Sequence, residues 1–133
     1  MARIALRLHA AIVRHDFHAM KELVDAGFPL DQKNSYGETP LQLALLCGSK
    51  KMVRYLYKKG APLLPDDGNS MLHYAAVSGS MSLCRFLVNS GFLWCLHNDA
   101  GETPSDVAHY NGYEILSEYL YSLNAVVNRK SAA

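Results

Sequence analysis

The amino-acid sequence predicts an all-α fold, namely a solenoid of four stacked helix–turn–helix repeats joined by short β-turn or hairpin connections. Three observations predict this fold. A block with a turn glycine, a helix cap and a helix start occurs three times, a second glycine follows each block at a fixed distance, and equivalent positions lie about 33 residues apart. Repetition at such a period is typical of proteins in which each repeat is one supersecondary unit.

The first helix of a repeat is marked by the blocks 37–44, 68–75 and 101–108. In each block a Ser or Thr follows the glycine at the position where its side chain would accept a hydrogen bond from the first helical turn. Pro40 and Pro104 come directly after the cap in two of the blocks, where a backbone N–H is not needed. We therefore expect a short helix to begin in each block.

The second helix of a repeat follows a second glycine, which is Gly48, Gly79 or Gly112. A glycine at the end of a short helix adopts the left-handed conformation that lets the chain reverse. Apolar residues then recur at helical spacing, and we expect these helices to stop at Gly60 and Gly91.

The period is set by four small residues, Ala11, Ala44, Ala75 and Ala108, which are separated by 33, 31 and 33 residues. The spacing from Ala11 to Ala44 indicates a first repeat, which lacks its turn and has His15 in place of the mid-repeat glycine. We expect the alanines to let helices approach closely. We also expect a buried leucine spine from the second helices, made of Leu23, Leu56, Leu87 and Leu120.

These motifs resemble the ankyrin repeat, which has a period of about 33 residues and a T-P-L-H-x-A signature. The segments 39–44 and 72–76 carry the resemblance, which covers about residues 2–125. It implies that His9 and His73 brace adjacent turns. It also implies one domain over residues 1–125, with repeats at about 2–33, 34–66, 67–97 and 98–125, and we expect a flexible tail at 126–133.

The resemblance implies that the chain binds another protein, as an adaptor, a scaffold or a regulatory or inhibitory subunit. The family uses a concave surface made of turn tips and the exposed side of each first helix. Transferred to this sequence, that surface contains Tyr36, Glu38, Leu46, Asp66, Asp67, Asn69, Val77, Ser78, Asp99, Glu102, Tyr110 and Asn111. Apolar residues with an acidic rim predict a partner with a basic or partly apolar face.

Simpler interpretations of these residues stay open. Leu46 and Val77 would equally suit the core between repeats, and the acids would equally be ordinary turn residues. A basic stretch, Lys50–Lys59, offers an alternative function in nucleic-acid or phospholipid contact, although a solvated helix face explains it as well. Self-association through exposed apolar residues near Trp94 or in the end repeats is a further alternative, so we expect a monomer or a weak homo-oligomer.

Charge and cysteine content argue against several other classes of protein. The net charge is +1, although residues 1–64 carry a net charge of +5 and residues 65–128 one of −6. This asymmetry predicts an end-to-end dipole, although a solvated surface with uneven charge explains it as well. Three cysteines without a CxxC pair predict reduced thiols rather than a metal site, and hence an intracellular protein of the cytoplasm or nucleus. No apolar run would span a membrane. Because no catalytic motif is found, we expect no enzyme activity, no cofactor and no small-molecule substrate.

Overall fold

A computed structural model describes the backbone of residues 2–65 and 67–132 and the side chains of residues 6–65 and 67–124. The described residues form eight α-helices and no strand, which confirms the predicted all-α repeat architecture. The helices are α1 (Ala2–Val13), α2 (Phe17–Asp25), α3 (Pro40–Cys47), α4 (Lys50–Lys58), α5 (Met71–Ser78), α6 (Met81–Asn89), α7 (Pro104–Tyr110) and α8 (Glu114–Ala132).

The chain divides into two compact units, Met1–Pro65 and Asp66–Ala133, each made of two repeats. In the first unit α1 packs against α2 and α3, and α3 packs against α4. In the second unit α5 packs against α6 and α7, and α7 packs against α8. The division lies between Pro65 and Asp66, and the repeat bounds given above stay a prediction.

The predicted tail at 126–133 overlaps the last helix, because α8 continues to Ala132. The side chains from Ala125 onward, and Ala133 itself, lie outside the described residues. The flexibility of this segment therefore stays a prediction, as does the assignment of residues 1–125 to a single domain. None of the helices in the described ranges combines the length and apolar character needed to cross a bilayer.

Side-chain caps begin most of the helices. The hydroxyl oxygens of Thr39, Ser70 and Thr103 accept hydrogen bonds from backbone N–H groups in the first turns of α3, α5 and α7. Helices α2, α4 and α6 begin in the same way, with the side-chain oxygens of Asp16, Ser49 and Ser80 as the acceptors. These bonds satisfy donors that a helix start leaves without partners, so the repeated Ser/Thr positions fix where the helices begin.

The core of each unit contains the predicted small residues, since Ala11, Ala44, Ala75 and Ala108 are all fully buried. Of the predicted leucine spine, Leu56, Leu87 and Leu120 are buried as expected. The prediction was wrong for Leu23, which is only partly buried because it lines a surface cavity of about 170 Å³ together with Arg7 and Ala10.

Positive φ angles mark the chain reversals. Gly48 and Gly79 end α3 and α5 with φ of 74° each, as predicted. Gly60 and Gly91 take positive φ immediately after the cap residues of α4 and α6. His15 has φ of 57°, so it occupies the left-handed conformation that glycine has at this point of the next two repeats.

Candidate protein-binding surface

Two turn tips are shaped by an asparagine side chain. Asn34 Oδ1 accepts hydrogen bonds from the backbone N–H groups of Tyr36 and Glu38, at 3.0 and 2.9 Å, and its Nδ2 donates to Glu38 Oε1 at 2.9 Å. Asn98 makes the equivalent bonds to the backbone and carboxylate of Glu102. These bonds close the turn locally, as Asx side chains do, and leave Tyr36 projecting with 86% of its surface exposed.

A buried histidine links the third repeat to the fourth tip. His73 Nε2 donates to the carbonyl of Glu102 at 2.7 Å, while its Nδ1 accepts from the backbone N–H of the cap residue Ser70 at 2.9 Å. His9 Nε2 similarly lies 3.0 and 3.1 Å from the carbonyls of Gln32 and Glu38. The prediction that His9 and His73 brace turns is confirmed.

His9 differs from His73 in one respect, because its buried Nδ1 has no hydrogen-bond partner among the described residues. The residue three positions earlier is Leu6, which lies inside α1 rather than at a cap. The cap N–H that His73 uses is thus not presented to His9, which leaves a buried acceptor unsatisfied at a cost in stability.

The tip of the third repeat places acids beside the tip of the fourth. The backbone N–H of Asp99 donates to the carbonyl of Asp67 at 3.0 Å, and Asp67 Oδ1 accepts from the backbone N–H of Asn69 at 3.2 Å. Asp67 and Asp99 are both exposed. The predicted site residue Asp66 lies outside the described residues.

Equivalent apolar residues lie at the ends of the first helices, Val13 and Leu46 in the first unit and Val77 and Tyr110 in the second. Tyr110 is 73% exposed and Val77 39%, while Leu46 is half-buried. Leu46 and Val77 are therefore not fully enclosed in the core.

Ser78 and Asn111 directly follow Val77 and Tyr110, and their side chains hydrogen-bond to carbonyls of their own helices. Their side chains therefore finish α5 and α7 and are only partly available to a ligand.

The structure divides the predicted site residues between the two units. Tyr36, Glu38 and Leu46 belong to the first unit, and the other described residues belong to the second. Glu38, Glu102 and Asn69 are partly exposed, and their side-chain oxygens accept bonds from the asparagine amides of the tips. Their first role is thus to hold the turns, whereas Tyr36, Asp99 and Tyr110 project into solvent.

The two asparagines that shape the tips were not among the predicted site residues. Their signal in the sequence is an Asn three residues before a turn glycine, followed by Glu, which occurs at 34–38 and again at 98–102.

Cys47 directly follows Leu46 of this surface. Burial, followed by the charge of Glu38, raises the pKa of Cys47 above the ordinary value for a thiol. Since the thiolate is the reactive form, this environment opposes nucleophilic chemistry. Among the described residues, no group of three His, Cys, Asp or Glu side chains is arranged to hold a metal ion.

A family model described as ankyrin repeats (many copies) matches residues 8–57 and 72–121. The chain belongs to the ankyrin repeat family. Each match covers two ankyrin repeats and lies within one of the two compact units. Ankyrin repeats are generally protein–protein interaction modules and typically do not catalyse reactions.

Similar ankyrin segments occur in much larger proteins. Diacylglycerol kinase zeta of Rattus norvegicus is 32% identical over 114 residues, which are 83% of this chain and 12% of the kinase. A transient receptor potential cation channel subfamily A member 1 homolog of Caenorhabditis elegans is 35% identical over 115 residues, which are 86% of this chain and 9% of the channel. The E3 ubiquitin-protein ligase Ufd4 of Drosophila melanogaster is 33% identical over 94 residues, which are 70% of this chain and 3% of the ligase. The chain thus spans only a small part of these relatives.

The basic stretch of the second ankyrin repeat is partly engaged within its own unit. Lys51 Nζ lies 4.2 Å from the centroid of the Phe17 ring, and Lys59 Nζ lies 3.9 Å from Asp25 Oδ1. Tyr55 also hydrogen-bonds to Asp25, which raises the pKa of the tyrosine. These contacts reduce the number of cations that are available to a nucleic acid or a phospholipid.

Trp94 is partly buried, and its indole Nε1 donates to Asn124 Oδ1 at 3.0 Å. This bond joins the connection after α6 to α8. The indole N–H is therefore used within the second unit, and Trp94 is better explained as a structural residue than as an exposed anchor.

Proposed function

We propose that this chain holds another protein through the turn tips and the ends of its first helices, as an adaptor, a scaffold or a regulatory subunit inside the cell. Tyr36 and Tyr110 carry the proposal. They are 86% and 73% exposed, so neither ring contributes much to the core. Large exposed aromatic side chains are typical of the residues that dominate binding energies at protein interfaces.

The proposed partner has a basic or partly apolar face. Asp67 and Asp99 lie on neighbouring tips and are joined through their backbones, so their charges are held close together. Two neighbouring carboxylates in the unit that also exposes Val77 and Tyr110 favour a partner with Lys or Arg around an apolar centre. The carboxylates would mainly accelerate association and select the partner, whereas the aromatic rings would supply most of the affinity.

Affinity capture followed by binding assays with the purified partner would test this proposal. We expect Tyr110→Ser and Tyr36→Ser each to weaken binding by about 30-fold or more, since a hot-spot residue is worth about 2 kcal/mol and 1.4 kcal/mol corresponds to tenfold. Asp99→Lys should weaken binding more strongly at low salt than at high salt, because salt screens the charges.

Tyr121→Ser is the matched control, because Tyr121 is also an exposed tyrosine, at 70%, but lies on α8. The assays use the chain at a concentration at which it is monomeric, so that contacts between copies do not affect the comparison. If Tyr36→Ser, Tyr110→Ser and Asp99→Lys all leave partner affinity at the level of Tyr121→Ser, the proposed surface is wrong.

A further inference from the structure

The outward faces of α4 and α8 use the same positions of the repeat. Counted from Gly48 and Gly112, the same five positions are exposed in each helix. In α4 they are Lys50, Lys51, Arg54, Tyr57 and Lys58, and in α8 they are Glu114, Ile115, Glu118, Tyr121 and Ser122.

These equivalent faces have opposite charges. Helix α4 contains four cations on this face and no acid anywhere in its sequence, whereas residues 114–124 of α8 contain two acids and no base. Like charges four residues apart destabilise a helix by about 0.2–0.5 kcal/mol per pair. Cations in the first turn also oppose the helix dipole. Lys58 in the last turn has the favourable orientation, so the like-charge spacing of Lys50, Arg54 and Lys58 and the cations of the first turn are the features that oppose the stability of α4.

The spacing of the charges is also matched. Positions four residues apart in a helix are separated by about 6 Å along its axis, so Glu114 and Glu118 repeat at the same interval as Arg54 and Lys58. Neither Arg54 nor Glu118 has an ion-pair partner among the described residues. Glu114 pairs with His109 at 2.9 Å, but both side chains are about 60% exposed, and such pairs contribute little.

Apolar groups on these faces are left in water. Ile115 is 77% exposed and Tyr121 70%, and the equivalent positions of Ile115 in the second and third repeats are the polar Lys51 and Ser82. Tyr57 on α4 is 54% exposed. Contact between an α4 face and an α8 face would cover these side chains while it pairs their charges.

We propose that α4 of one copy docks against α8 of a second copy, so that Arg54 pairs with Glu118 of the second copy and Ile115 and Tyr121 become covered. The two helices lie antiparallel in this contact, because that arrangement places the opposite ends of their dipoles side by side. The nine residues of α4 span only about 14 Å. One such contact is smaller than a stable interface requires, so the association is weak and sensitive to salt.

Sedimentation equilibrium of the full chain would test this proposal, from about 10 μM to 1 mM, at about 50 mM and about 500 mM salt. We expect reversible association at low salt that weakens at least tenfold at high salt. Arg54→Glu and Glu118→Arg should each weaken it at least tenfold. The double variant Arg54→Glu/Glu118→Arg should restore it to within a few-fold, because the pairing between copies is re-formed with its signs exchanged.

Lys21→Glu is the matched control, since Lys21 is the exposed residue of α2 that is equivalent to Arg54. It changes the net charge by the same amount and should leave association unchanged. Circular dichroism of each variant checks that its helices are intact. A chain that stays monomeric at 1 mM and low salt overturns the proposal. Association that the double variant does not restore also overturns it.

Discussion

His15 has a backbone conformation that is unfavourable for any residue with a side chain. Its φ of 57° lies in the left-handed region, where the equivalent positions of the next two repeats have Gly48 and Gly79. A non-glycine residue pays about 1–2 kcal/mol in this region because its Cβ crowds the following carbonyl. The sequence pattern identified this position correctly, since the period places His15 where the other repeats have glycine.

We expect His15→Gly to raise the free energy of unfolding by about 1 kcal/mol. His18→Gly should instead lower it by about 0.5–1 kcal/mol, because His18 lies inside α2, where glycine is unfavourable. Urea unfolding followed by circular dichroism measures both changes. A His15→Gly variant that is less stable than the parent chain would show that the side chain of His15 makes a compensating interaction.

Gly79 combines a left-handed backbone with close packing. A Cβ added at Gly79 would lie 2.5 Å from the ring of Tyr113, whereas one added at Gly112 would meet no atom within 4 Å. Both glycines have positive φ, of 74° and 83°. The two positions therefore separate backbone strain from steric overlap.

We expect Gly112→Ala to cost about 1 kcal/mol of stability, from the backbone alone. Gly79→Ala should cost about 1–3 kcal/mol more, because the Tyr113 ring must move. In a Tyr113→Ser background this excess should disappear, which a double-mutant cycle measures. Equal costs for the two alanine variants in the parent chain would contradict the prediction.

At the scale of the helix, the caps of the first helices are similar in sequence but differ in their surroundings. Thr39 is fully buried, and its hydroxyl accepts from the N–H of Gln42 and donates to the carbonyl of Leu63 at 3.3 Å. Thr103 makes the first kind of bond, with Asp106, but no bond of the second kind among the described residues. Thr39 thus joins α3 to the connection that follows α4.

We expect Thr39→Ala to destabilise the chain by about 2 kcal/mol and Thr103→Ala by about 1 kcal/mol, the upper and middle parts of the range for helix caps. Thr39→Ser should recover most of the loss, because it retains both hydrogen bonds. Chemical denaturation of the three variants provides the comparison. If Thr39→Ala were no more costly than Thr103→Ala, the bond to Leu63 would contribute nothing.

The helices could be predicted from the sequence because their signals are local. A Ser or Thr cap, a turn glycine and apolar spacing lie within one repeat, so the starts of α3, α5 and α7 follow directly. Departures arose where a neighbour decides the outcome. The burial of Leu23 depends on what covers the outer side of α2. The availability of Glu38 and Glu102 depends on Asn34 and Asn98, whose side chains hydrogen-bond to the backbone and carboxylate of these residues.

The candidate binding surface was predictable only in outline for the same reason. The period identifies which positions lie at tips and helix ends, so Tyr36 and Tyr110 could be selected before the structure was known. It does not show which polar side chains are already engaged by their own turns. Ser78, Asn69 and Asn111 were selected by position alone, and each hydrogen-bonds within its own unit.

Across the whole molecule, the three cysteines are free thiols, and each lies in a different environment. Cys95 is exposed and Cys47 is partly exposed, whereas Cys84 is buried in α6. Burial raises the pKa of Cys84 to about 12, so at neutral pH its thiol is both protonated and inaccessible. Reaction at each thiol therefore reports a different degree of opening.

We expect a thiol-specific reagent at neutral pH to label Cys95 fastest, Cys47 more slowly and Cys84 only when the second unit opens. A Cys47→Ser/Cys95→Ser background isolates the labelling of Cys84, which mass spectrometry follows. Leu87→Ala should accelerate that reaction at least about 30-fold, since truncating a buried leucine costs about 2 kcal/mol or more and 1.4 kcal/mol corresponds to tenfold. The rate of labelling follows the fraction of molecules in which the second unit is open, provided that the unit closes again faster than the thiol reacts. The acceleration by Leu87→Ala should therefore be smaller where Cys84 already reacts nearly as fast as an exposed thiol. Labelling of Cys84 as fast as Cys95 in the folded parent chain would show that α6 does not bury this thiol in solution.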